Sequence, residues 1–188
     1  DLSFSVLDRA TFHFQNAYKI PNVSIEGNCM RTHLPSNTAF RGFGAPQAMM
    51  VSEHIIRDIA RKLGRDYLEI MDINLYRDGD STHYNQLLTN CYLRRCFEEL
   101  KTSSDILERR KSVEKFNLGN RWKKRGLSLV NTMFGIAFTA PHLNQSGALV
   151  HVYVDGSVLI SHGGVEMGQG LHVKMLQVAS ATLKIPLE

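Results

Sequence analysis

Hydrophobic positions along the chain follow two periodicities. Val51, Ile55, Ile59 and Leu63 repeat at fours, with Pro46 where a first helical residue belongs and Gly64 ending the run, which predicts a helix. Asp66 followed by Glu69 has the form of a capping box and opens a second helix reaching about Tyr76. Leu93–Phe116 predicts a longer, charged and exposed helix, and Leu171–Lys184 a last one, apolar at Leu171, Met175, Val178 and Leu183. Ala148–Val154 and Ser157–Ser161 are strand-like runs of Val, Leu and Ile joined by Asp155-Gly156. That dipeptide supplies the positive backbone angles of a type I′ turn, so a tight hairpin is expected. Gly126–Phe134 and, with weaker alternation, Val23–Thr32 read as further strands. The fold class is therefore α+β, mixed strands and helices, with a division expected near Asp78–Asn90.

Charge changes this picture in one place. Between Gly126 and Val165 the only formal charge is Asp155, so the stretch is expected to be buried or to line a site. Asn131, Pro141, His142, Asn144, Gln145 and Ser146 interrupt it well before the ~18 to 20 apolar residues that a membrane helix needs. Elsewhere composition is that of an ordinary folded chain: 188 residues, 43% hydrophobic and 21% charged. That excludes a disordered tail and a disulfide miniprotein. The net charge of +4 is too mild to imply a nucleic-acid partner without clustering, and the one tight cluster, Arg121, Lys123, Lys124 and Arg125, reads as a solvated patch. Cys29, Cys91 and Cys96 lack the spacing of a zinc site and suit a reducing compartment. The opening at Asp1 and the stop at Ile185-Pro186-Leu187-Glu188 are expected to be cuts within a longer polypeptide.

Two glycine-rich segments each precede a helix. Phe40-Arg41-Gly42-Phe43-Gly44-Ala45 leads into the Pro46 helix, and Gly163-Gly164-Val165-Glu166-Met167-Gly168-Gln169-Gly170 leads into the Leu171 helix. Glycine lets backbone approach a ligand, and free N–H groups at a helix start attract anions or carbonyl oxygens. Each loop could cradle a cofactor, or simply turn a corner. The dinucleotide fingerprint fails because Val173 stands at the third glycine's place, and no Lys-Ser/Thr follows for a phosphate-binding loop. There is no serine elbow and no paired carboxylate. Glu166 and His162 read as hydrogen-bonded loop residues rather than catalysts.

The stretch Arg31-Thr32-His33-Leu34-Pro35-Ser36-Asn37-Thr38-Ala39-Phe40-Arg41-Gly42-Phe43-Gly44, with Trp122–Leu127, Asn144–Tyr153 and Gly163–Gly170, resembles the molybdopterin domain of the eukaryotic xanthine dehydrogenase/oxidase family, with aldehyde oxidase as a near relative. The resemblance runs from end to end. It implies a fragment spanning parts of two molybdopterin-binding subdomains: residues 1–79 the end of the first, 80–119 a helical connection, 120–188 the start of the second. It further implies a molybdenum hydroxylase oxidising hypoxanthine and xanthine to urate, with molybdenum–molybdopterin here and, in the full-length enzyme, FAD and two 2Fe-2S clusters. A homodimer in the cytoplasm or peroxisome goes with it, without membrane or nucleic-acid partners. Carried over by position, Arg9, Phe43, Phe138 and Thr139 are substrate-binding, and Arg41, Met167, Gly168 and Gln169 are cofactor-binding. Two rings suit a flat heterocycle, and a guanidinium suits charge growing on a purine oxygen. On residue type alone, Phe138 reads equally as core and Arg9 as a surface helix residue.

Aldehyde oxidases resemble the chain in the cofactor loops but lack the arginine at Arg9 and differ around Phe134–Thr139, so the purine pattern is the better match. His33, Ala45 and Val165 depart from the family's usual Asn, Gly and Thr without removing a named contact. The family's general-base glutamate falls outside residues 1–188, so no catalytic residue is expected within the chain and the chain alone is expected to be inactive. A fragment of an aldehyde oxidase, or a truncated product that catalyses nothing, stays open at this point.

Overall fold

The computed structural model describes residues 2–187. Helices α1 (Ser3–Phe12), α2 (Ala45–Leu63), α3 (Tyr67–Asn74), α4 (Leu93–Ser103), α5 (Ile106–Gly119) and α6 (Leu171–Leu183) accompany one antiparallel hairpin, β1 (Ala148–Val152) and β2 (Val158–His162), and a short 3-10 turn at Pro141–Leu143. The class is α+β. The chain divides into two compact units, Asp1–Gly135 and Ile136–Glu188. Residues 76–90 belong to the first, where the Tyr76 hydroxyl donates to Gln15 Oε1 at 2.7 Å and His83 N donates to the same oxygen at 3.2 Å.

Helix α2 has the ends that its sequence foretells. Pro46 lies in the first turn, Gly44 caps it in the left-handed region at φ 98°, and Gly64 closes it at φ 62°. Gly64 N donates to Arg61 O and Arg65 N to Ala60 O, the paired bonds of a Schellman motif. Apart from Ile56, the face turned to the core is made of small residues. Ala48, Ser52, Ile56 and Ala60 are buried, while Val51, Ile55, Ile59 and Leu63 are 41–60% exposed. Small side chains allow close approach. Ser52 Oγ bonds the Phe14 carbonyl, and a Cβ on Gly44 would lie 2.1 Å from the Val6 carbonyl oxygen. The core gathers Ala17, Tyr18, Ile56, Ala60, Leu68, Ile70, Met71, Leu75, Phe97, Ile106 and Leu129.

Several expectations are corrected. Leu93–Phe116 is two helices, because Thr102-Ser103-Ser104-Asp105 are poor helix formers and Asp105 takes a left-handed conformation at φ 48°. The break lets Ile106 turn into the core. Helix α3 ends at Asn74 rather than Tyr76, since Leu75 pairs with Tyr18 and Tyr76 N donates to Ala17 O. Its Asp66 cap accepts from Leu68 N at 2.9 Å, but Glu69 turns back to Arg65 instead of closing a capping box. Val23–Thr32 and Gly126–Phe134 form no strand among the described residues. Leu129 and Asn131 are buried in alternation as a strand would have them, yet their segment is held by side chains rather than by a neighbouring ladder.

The hairpin forms where expected, with Val152 opposite Val158, but its turn is not type I′. Only Gly156 has positive φ. Gly156 N donates to Tyr153 O and Tyr153 N to Ser157 O, giving a type I turn closed by a glycine bulge. Asp155 does not need the left-handed region because its carboxylate accepts from both Ser157 N at 2.9 Å and Ser157 Oγ at 2.7 Å. The charge-poor stretch is mostly exposed: in Gly126–Val165 only Leu129 and Asn131 are buried, and no described residue of the second unit is. The basic cluster is exposed as expected, with Arg121 over the Trp122 ring and Arg125 over Phe116.

The small-residue face of α2 sets a direct expectation. Ile56→Ala should cost about 2 to 4 kcal/mol through lost packing and a cavity, and Ile59→Ala less than about 1 kcal/mol. Urea titration of the two variants checks the ordering, and equal losses would contradict it.

Candidate functional site

In the first unit, the last turn of α1 places Arg9 against the segment that ends at Gly135. Its Nη2 donates to the Gly135 carbonyl at 3.0 Å, and its guanidinium carbon lies 5.1 Å from the centre of the Phe134 ring. His13, buried one turn later, accepts at Nε2 from Gly135 N at 2.9 Å and has Nδ1 2.8 Å from the Arg9 carbonyl. Burial pushes the His13 pKa down. Both hydrogen-bonding groups of Gly135 are thus occupied.

Arg41 and Phe43 lie in the turn before α2. Arg41 is exposed and Phe43 half-buried, with Phe43 in the left-handed region at φ 51° and its N–H donating to Phe40 O at 2.8 Å. A Cβ on Gly42 would lie 2.4 Å from the Pro46 ring, so this loop is tight because its own helix start crowds it.

In the second unit, Phe138 and Thr139 are exposed, and one residue holds the Phe138 backbone from both sides. Asn144 Oδ1 accepts from Phe138 N at 2.8 Å while its Nδ2 donates to Phe138 O at 3.0 Å. Sequence reasoning included Asn144 in a motif without assigning it this task.

The glycine loop before α6 is organised around Glu166. Its carboxylate accepts from Gly168 N at 2.6 Å, Gly170 N at 3.0 Å and Leu171 N, three amides at the start of a helix. These bonds, that from Gly170 foremost, hold the Glu166 carboxyl below its ordinary range. Gln169 folds back on the same loop, Oε1 accepting from Met167 N at 2.6 Å and Nε2 donating to Val165 O at 2.7 Å. His162 Nδ1 accepts from Gly164 N at 3.1 Å, leaving Nε2–H to donate to His172 Nδ1 at 3.3 Å. The reading of Glu166 and His162 as hydrogen-bonded loop residues agrees with these contacts.

A separate cluster was not foreseen. Tyr18 OH donates to Glu53 Oε1 at 2.6 Å and Asn16 Nδ2 donates to the same oxygen at 2.9 Å, beside a cleft of about 390 Å³ lined in part by Met49, Met50, Arg57 and Asn131. Burial raises the Glu53 and Tyr18 pKa values. Isolated polar residues in an apolar run were the only sequence signal for it.

Comparison with known proteins bears on the whole chain. A family model described as a molybdopterin cofactor-binding domain matches residues 1–75, and a second model with the same description matches residues 99–188. The chain belongs to the molybdopterin cofactor-binding domain family. It is 60% identical over all 188 residues to the xanthine dehydrogenase of Calliphora vicina and 59% identical over 186 residues to the xanthine dehydrogenase/oxidase of Gallus gallus. A plant relative, xanthine dehydrogenase 1 of Arabidopsis thaliana, is 54% identical over 187 residues. The chain spans 14% of the length of each of these relatives. Among solved structures, the aldehyde oxidoreductase of Desulfovibrio desulfuricans matches 97% of this chain and 20% of its own with a TM-score of 0.72 at 24% identity, a likeness of fold.

The second loop carries the backbone amides and the side-chain amide that the group naming this family would need, and here they are met within the loop itself. Three of its amides converge on the Glu166 carboxylate and both ends of the Gln169 amide bond the loop's own backbone, so a bound oxygen-rich group would take over these contacts from Glu166, Met167 and Val165. Among the described residues no cluster of three or more His, Cys, Asp or Glu could hold a metal directly, and no helix is long and apolar enough to cross a membrane.

The Glu166 contacts have a pH signature. A carboxyl held below its ordinary value contributes its stabilisation at neutral pH and loses it as the pH falls through that lowered value. On acidification the amide resonances of Gly168, Gly170 and Leu171 should shift together in the wild-type chain. Glu166→Gln should lack that step, and unchanged titration in the variant would contradict the assignment.

Proposed function

We propose that the chain is a segment of a molybdenum hydroxylase that oxidises hypoxanthine and xanthine to urate. The observation that carries this reading is identity of 54–60% to xanthine dehydrogenases of an insect, a bird and a plant along essentially the whole chain. The aldehyde oxidase alternative draws only on likeness of fold. On this reading residues 1–79 close one molybdopterin-binding subdomain, 80–119 connect, and 120–188 open the next. The full-length enzyme, a cytoplasmic or peroxisomal homodimer, would also carry FAD and two 2Fe-2S clusters.

Arg41, Met167, Gly168 and Gln169 would hold the molybdopterin. Bound molybdenum–molybdopterin supplies the oxygen transfer and accepts the electrons. The chain's own residues position the purine. Phe43 and Phe138 would stack on its faces, Thr139 would bond beside them, and Arg9 would stabilise negative charge growing on a ring oxygen. Asn144, which fixes the Phe138 backbone, supports the second ring. The general base lies elsewhere in the parent protein, so the 188-residue chain should form no urate.

Arg9 separates the two substrate classes. In the full-length enzyme Arg9→Met should lower kcat/KM for xanthine by on the order of 10² or more, the cost of one well-placed donor, while an aromatic aldehyde loses little. Both substrates share the molybdenum centre, so general damage cancels in the ratio. Equal losses would count against oxidation of purines as the activity of the parent.

A further inference from the structure

The His13 ring sits between two backbone groups of opposite character. Nε2 faces the N–H of Gly135 at 2.9 Å and so must be the unprotonated acceptor, while Nδ1 faces the carbonyl of Arg9 at 2.8 Å and so must carry the proton. A single neutral tautomer satisfies both contacts, and the imidazolium satisfies only one. The same ring packs 5.1 Å from Phe134, and the Arg9 guanidinium covers that phenyl ring while bonding the Gly135 carbonyl. Arg9, Phe134 and Gly135 are therefore held by one side chain that is 2% exposed. Gly135 is also the last residue of the first unit, three residues before Phe138.

We propose that neutral His13 is a positioning residue for the purine-facing arginine. Its Nδ1–H tautomer holds Arg9 at the helix end and pins the Phe134-Gly135 segment against the guanidinium, and protonation at Nε2 opposes the Gly135 N–H and releases that segment. The proposal rests on the reading of Arg9 as the substrate arginine. The charged and titratable groups that face His13 are Arg9, from its own helix, and His83, from the loop after α3. His83 has its two ring nitrogens 2.8 Å from Gln15 Oε1 and 3.0 Å from the Thr11 carbonyl, and burial pushes its own pKa down. Burial is the main influence against a positive charge on His13; the Arg9 guanidinium and a protonated His83 act in the same direction, and the hydrogen bond to the Arg9 carbonyl acts against them. The clamp is thus complete at neutral pH and opens on acidification below the ordinary histidine range.

Two variants of the full-length holoenzyme test this. His13→Gln keeps an acceptor near the Nε2 position and cannot titrate, whereas His13→Leu keeps the bulk without an acceptor. At neutral pH, kcat/KM for xanthine should fall by about tenfold or more in His13→Leu, as misplacement of a binding group demands, with a smaller loss for an aromatic aldehyde and normal molybdopterin content. His13→Gln should stay within about threefold of wild type and lose one protonation step from the acid limb of its pH profile. Wild-type xanthine kinetics in His13→Leu, equal losses on both substrates, or an acid limb unchanged in His13→Gln would overturn the proposal. If the wild-type enzyme itself oxidises no xanthine, the functional reading fails, and crystal structures of wild type and His13→Leu then decide the clamp. Displacement of Phe134-Gly135 from the Arg9 guanidinium in the variant supports it, and an unmoved segment refutes it.

Discussion

The first unit depends on keeping a run of buried polar side chains fully bonded. Residues 13–18 follow α1 directly, and His13, Gln15, Asn16 and Tyr18 are all nearly inaccessible to solvent. Unpaired, such groups each cost about 1 to 3 kcal/mol, so the run can fold only in one arrangement of its partners. Gln15 ties the Tyr76 hydroxyl and the His83 backbone to the segment and donates back to Ile20 O. Asn16, itself in the left-handed region, donates to Glu53 Oε1 and Asn131 O and accepts from Met133 N. Three distant parts of the chain, helix α2, residues 76–83 and residues 131–135, meet on six consecutive residues. Apolar packing then fills in around them, and the small face of α2 lets that helix come close enough to take part.

That organisation explains which features could be read from sequence. Helices α2 and α3 were legible because their signals are local, Pro46, Gly64 and Asp66 acting on their immediate neighbours, whereas α1, which has no side-chain cap at its start, is not predicted as an element. Strand assignments for Val23–Thr32 and Gly126–Phe134 depended on partners that alternation does not name, and Asn131 is buried in register while its carbonyl bonds an asparagine side chain. The α4–α5 break was written in Thr102–Asp105, but the charged pattern on both sides masked it. The hairpin turn failed for a subtler reason: Asp-Gly serves type I′ and bulged turns alike, and the Ser157 contacts decide between them.

The candidate site was legible in outline and opaque in its supports. The glycine spacing marked both loops, and family likeness marked Arg9, Phe43 and Phe138. Glu166 reads only as a hydrogen-bonded loop residue, Asn144 stands in a motif without its present role and His13 stands in none, because each acts on backbone groups rather than on a motif partner. The two glycine loops also differ physically. Gly42 and Gly44 are needed where the chain presses on Pro46 and Val6, whereas the second loop has its shape imposed by one carboxylate that gathers three amides.

The hairpin of the second unit has every residue of β1 exposed and only alternate residues of β2 partly covered. A two-stranded ribbon without a covering layer is marginal in water, and α6 contributes no buried residue to it. The 188-residue chain should therefore not unfold as one cooperative block. Denaturant sensitivity and the heat-capacity change of melting should come chiefly from the first unit, while the amides of β1 and β2 should exchange with solvent through local openings that leave that unit intact.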